Sequence, residues 1–143
     1  MADANDSKAK HGVEFKDQVR AKLLELKAAG ILKNVEIAKQ FAPTIGGAPQ
    51  FYVPFYAYGA SSNYAIFTTT SARSDRIKIN QWDANGIKNA ANLNTTCIVV
   101  LPNLLSDAEE HNFEKEAERI SQPGYISAID LIIKMQDLER TLV

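Results

Sequence analysis

Arg73, Asp75, Arg76 and Lys78 crowd into the stretch TTTSARSDRIKINQWDANGIK (68–88), where a β-forming run gives way to a segment that reads as a helix from Gln81. Two guanidinium forks and an ammonium lie beside the hydroxyls of Ser71 and Ser74 and the amide of Asn80. Forked cations and small hydroxyls in one turn make a dense set of donors for phosphate oxygens. The same charges could also knit a surface salt-bridge knot, which adds little stability. Gln81 suits a base edge, a phosphate backbone or simply the first turn of a helix. The cluster points to nucleic-acid contact through Ser71, Arg73, Ser74, Arg76 and Gln81.

Other chemistries lack the residues they need. The chain has no Gly-x-Ser-x-Gly elbow, no P-loop and no Gly-x-Gly-x-x-Gly. His11 and His111 stand apart, and the single Cys97 lies in an apolar run where a thiol is buried and unreactive. Thr68, Thr69 and Thr70 read as strand residues, and Trp82 as a packing anchor. Tyr52, Tyr56 and Tyr58 suit either a nucleic-acid groove or a sheet core.

These residues need elements to position them. Residues 1–11 are small, polar and charged, as in a flexible tail. From Val13, the spacing of Phe15, Val19, Leu23 and Leu26 predicts a helix that Gly30 can end. ILKNVEIAKQF fits a short helix or an extended arm, and APTIGGAPQ is a loop. FYVPFYAYG and SNYAIFTTTS read as a strand hairpin, with Pro54 implying an edge position or a bulge. A helix over QWDANGIKNAAN leads to TTCIVVLP, an unbroken apolar run typical of a strand covered on both faces. Ser106 and Glu109 form a capping box that opens a helix carrying Phe113, Ala117 and Ile120. Pro123-Gly124 breaks it, and a last helix is expected from Ser127 through Leu131, Met135, Leu138 and Leu142. The order predicts an α/β fold, with a small mixed β-sheet flanked by helices in a single domain over 12–143.

Composition bounds the partners. The chain has 143 residues and a net charge of −1, so no whole-chain field attracts DNA or lipid, and such a partner must be held by a local patch. One cysteine suits a reducing compartment. Neither an apolar signal core nor a spanning run is present in the sequence, so a soluble, cytoplasmic protein with no membrane partner is expected.

The element order and three motifs resemble the restriction-endonuclease-like superfamily of PD-(D/E)XK nucleases. The motifs are Gly12-Val13-Glu14-Phe15 at the start of a helix, the aromatic hairpin, and the strand exit SARSDRIKINQWDANGIK; together they span roughly residues 12–102. The resemblance implies a metal-dependent, type II restriction-type endodeoxyribonuclease or the nuclease-type subunit of a DNA-processing system. DNA would be the substrate and Mg²⁺ the cofactor, with a second copy or a partner subunit compatible. In that family, carboxylates hold Mg²⁺ against the phosphate and a lysine orients the attacking water. Here, no i, i+2 pair of AIFTTTS contains an acid or a lysine. The resemblance then implies metal ligands at Glu14, Asp75 and Asp83, with Glu14, Asp75 and Lys78 as the catalytic set. The missing acid-x-Lys equally suits a catalytically inactive DNA-binding or subunit-assembly domain on the same scaffold. An interaction protein with no nucleic-acid role is a third reading, consistent with the near-neutral charge.

Overall fold

The apolar stripe of the first helix needs a surface to cover, and a β-sheet supplies it. A computed structural model describes the backbone of residues 4–43, 45–90 and 94–143, and the side chains among these from Gly12 onward. Helix α1 (Ala4–Ala28) leads into three antiparallel strands, β1 (Asn34–Phe41), β2 (Phe51–Tyr58) and β3 (Asn63–Thr68). Helix α2 (Ser74–Ala90) connects β3 to β4 (Thr95–Leu101), and α3 (Asp107–Ser121) connects β4 to β5 (Leu131–Lys134). A 3₁₀ turn (Met135–Asp137) and the short α4 (Leu138–Leu142) follow. The strands lie in the order β1-β2-β3-β4-β5, with β3, β4 and β5 mutually parallel. The architecture is the expected α/β domain, a five-stranded mixed sheet flanked by helices.

Strand alternation divides the core into two halves. Ile66, Ile98 and Val100 face Phe15, Val19, Leu23 and Leu26 of α1, together with Leu138 and Leu142 of α4. Ala65, Phe67, Cys97 and Val99 face the opposite way, toward Ile77, Ala84 and Ile87 of α2, with Phe113 and Ile120 of α3 packed alongside. β4 is covered on both sides, as its unbroken apolar run predicts. Among the described residues, no helix is long and apolar enough to cross a membrane.

The structure departs from the sequence-based expectations at several places. Helix α1 starts at Ala4, inside the segment read as a tail; residues 1–3 lie outside the described residues. The ambiguous ILKNVEIAKQF contains β1, which turns the expected hairpin into a three-stranded meander. Pro54 is accommodated because β2 pairs with β3 only over Phe55–Tyr58, so the strand has a single neighbour where the proline stands. Helix α2 begins at Ser74 rather than at Gln81. The Arg73 carbonyl accepts the N–H groups of Arg76 and Ile77 at 3.0 and 3.1 Å, which starts the helix within the basic cluster. The helix expected from Ser127 is instead β5 over Leu131–Lys134, since Ile132 and Ile133 extend the parallel ladder beside Val99 and Val100. A place in a sheet outweighed helical spacing there. Only Leu138 and Leu142 keep that spacing, in α4, where both are buried.

Gly86 shows how tightly α2 sits on the meander. A Cβ at this position would run into the ring of Phe51. Gly86→Ala is therefore expected to cost about 1–3 kcal/mol through overpacking, more than the alanine gains in helix propensity. A urea melt checks this, and an unchanged midpoint would mean that Phe51 does not rest on the helix.

Candidate functional site

The parallel strands β3 and β4 end side by side, and the segments leaving them define a cleft. Thr70 follows β3, while Pro102 and Ser106 follow β4. Helix α1 borders the third side with Glu14 and Gln18, and Glu109 of α3 the fourth, around an open groove of about 340 Å³. The carboxyl ends of parallel strands are where open α/β sheets place ligands, because the loops diverge there. Two carboxylates, Glu14 and Glu109, thus line one cleft with the hydroxyl residues Thr70 and Ser106.

Side-chain hydrogen bonds order the connector from β3 to α2. The Thr69 hydroxyl donates to the Ser71 carbonyl at 3.0 Å and accepts the Ser71 N–H at 3.2 Å. Ser71 Oγ accepts the Arg73 N–H at 3.3 Å and donates to Glu109 Oε1 at 3.2 Å. The Ala72 N–H donates to Glu109 Oε2 at 2.5 Å. Glu109 therefore ties the start of α3 to the strand exit. Only half of the expected capping box forms: Ser106 Oγ accepts the Glu109 N–H at 3.2 Å, but the Glu109 side chain turns to the connector. The Ser-x-x-Glu signature carried a usable signal for this residue, masked by its more common capping role.

The residues singled out from sequence fall into separate environments. Glu14 is exposed on α1 and lines the cleft. Asp75 is instead gripped by Arg73, Nε to Oδ1 at 3.1 Å and Nη2 to Oδ2 at 2.7 Å. That forked hydrogen bond holds the Asp75 carboxyl below its ordinary range and raises the guanidinium. Asp83 accepts the Tyr52 N–H at 3.0 Å, joining α2 to the start of β2. Among the described residues, Glu14, Asp75 and Asp83 form no three-acid cluster. Gln81 is a latch: its Nε2 donates to Ser127 Oγ at 2.7 Å and its Oε1 accepts the Ala128 N–H at 2.9 Å. That bond pair seats α2 against the segment entering β5. Ser74 is half-buried at the first position of α2, while Arg76 and Lys78 are exposed in its first turns.

Two of the three tyrosines serve the fold. Tyr56 is buried with its hydroxyl 2.7 Å from Thr95 Oγ1. Tyr58 donates to Glu36 Oε2 at 2.5 Å, and burial, followed by that bond, pushes its phenol up to about 12. No protein-family model matches this chain, and no curated protein or solved structure does.

Proposed function

We propose that the chain is the nuclease-type domain of a DNA-processing system, with phosphodiester hydrolysis at the cleft between Glu14 and Glu109. The observation that carries this reading is that two acidic residues, Glu14 of α1 and Glu109 of α3, line the same cleft at the carboxyl ends of β3 and β4. The basic start of α2 follows directly on the connector. The cleft offers oxygen donors from the acidic residues Glu14 and Glu109, the hydroxyl residues Thr70 and Ser106 and the amide of Gln18, and oxygen donors suit a hard dication such as Mg²⁺. When bound, that ion would polarise a phosphate and acidify water. Glu14 and Glu109 would hold it, with Thr70 and Ser106 positioned to bond a phosphate oxygen or water. Arg76 and Lys78 would anchor the flanking backbone as point contacts, without reading sequence.

A specific observation favours a second reading, a DNA-binding or subunit-assembly domain without catalysis. Glu109 already accepts from the Ala72 N–H and the Ser71 hydroxyl, and Asp75 from Arg73, so structural bonds occupy both acids. Plasmid nicking with Mg²⁺ or Mn²⁺, and its suppression by EDTA, separates the two. Metal-dependent nicking supports the nuclease, and an inert but DNA-binding protein supports the second reading.

Both readings share a binding prediction. Arg76→Ala and Lys78→Ala should each weaken duplex binding and flatten the log affinity against log salt plot by roughly 0.9. Arg73→Ala should change the slope less, because its fork is spent on Asp75. Fluorescence anisotropy at several salt concentrations measures all three. A folded Arg76/Lys78 double mutant with the wild-type slope would retire α2 as the backbone grip.

A further inference from the structure

Trp82 is the single tryptophan of the chain, and it stands 60% exposed on α2. Its ring leans on Phe51, with centroids 4.7 Å apart and planes tilted by 53°. The pair lines a cleft of about 270 Å³, distinct from the one at the strand ends, whose walls also include Pro43, Ile45 and Asn85. Phe51 cannot retreat into the helix, because it is already seated against Gly86. Helical spacing places Lys78, Trp82 and Asn85 along one exposed stripe of α2.

We propose that this second cleft takes an unpaired nucleobase of single-stranded or locally opened DNA. The base stacks on Trp82, Asn85 meets its pairing edge, and Lys78 lies one turn away for the neighbouring phosphate. The proposal rests on the DNA-handling reading above and adds a second site to it. Every base has a π-face, so an exposed aromatic wall is a general platform for single strands. An amide carries both a donor and an acceptor, which matches the pairing edge of a base. A duplex conceals both face and edge, so the occupant is unpaired. The volume also suits one flat ring system, since pockets for larger ligands run to about 300–1,000 Å³.

The lone tryptophan makes the test direct, because its emission reports from the proposed contact alone. Titrating the full chain with a single-stranded oligothymidylate should quench tryptophan fluorescence saturably, and duplex DNA of equal length should quench it far less. By anisotropy with a labelled single strand, Trp82→Ala should weaken binding about 5- to 150-fold, the usual effect of removing a stacking ring. Trp82→Phe should recover most of the affinity, and Asn85→Ala should narrow the difference between bases. Unquenched emission on a saturated single strand, or equal affinity in a folded Trp82→Ala variant, overturns the site. Emission that responds to protein concentration but not to DNA assigns the face to self-association and overturns it as well. Quenching in a chain that never cuts leaves the base site standing and removes only the nuclease reading. Cutting without any quenching does the reverse.

Discussion

Glu14→Gln is expected to lower metal-dependent DNA cleavage by about 100-fold or more while leaving duplex binding nearly unchanged. The substitution keeps the shape of the side chain and removes the charge that a dication needs. Glu14 is exposed, so its loss leaves the core of α1, built on Phe15, Val19, Leu23 and Leu26, untouched. Glu109→Gln should also abolish cutting, but it disturbs the bonds to Ser71 and Ala72 and will lower stability. Asp75→Asn is the informative control. Its carboxylate belongs to Arg73, so cleavage should persist, with at most a modest change in binding. Single-turnover nicking with Mg²⁺ and a parallel binding titration measure both effects. Should Glu14→Gln cut at the wild-type rate while Asp75→Asn is dead, the metal belongs at the start of α2 and the proposed cleft is the wrong one.

Val99→Asp should leave the chain unfolded. Val99 is fully buried in β4, paired with Phe67 on β3 and Ile132 on β5, and its side chain joins the α2-facing core. An unpaired carboxylate there costs several kcal/mol, against a total stability of about 5–15 kcal/mol for a domain. Val99→Ala, which leaves only a small void, should fold with a lowered melting temperature. Far-UV circular dichroism and a thermal melt distinguish the outcomes. A cooperative melt for Val99→Asp near the wild-type temperature would place β4 at an edge and contradict the sheet order.

Elements whose own residues determine both their periodicity and their burial were legible in the sequence. Phe15, Val19, Leu23 and Leu26 repeat at helical spacing because one face must be covered, and all four are buried under the sheet. Thr95–Leu101 reads as a doubly covered strand because Cys97 through Leu101 are an unbroken apolar run, and it lies between two parallel neighbours. Ser106 announced the start of α3 through a purely local bond. The rest depended on partners distant in the chain. Leu131–Lys134 carries helical spacing, yet it becomes a strand because β4 offers an open edge. β1 is settled in the same way by β2, and a single sequence holds no record of such pairing. The candidate site followed the same division. Glu14 is singled out only through the resemblance carried by Gly12-Val13-Glu14-Phe15, and it lines the cleft from within α1 rather than from its start. Only the tertiary structure turned Gln81 into a latch for Ser127 and Ala128, paired Asp75 with Arg73, and set Glu109 in the same cleft as Glu14. A carboxylate or amide takes whichever donor the fold places within about 3 Å, and that choice is made by the packing of α1, α2 and α3 on the sheet.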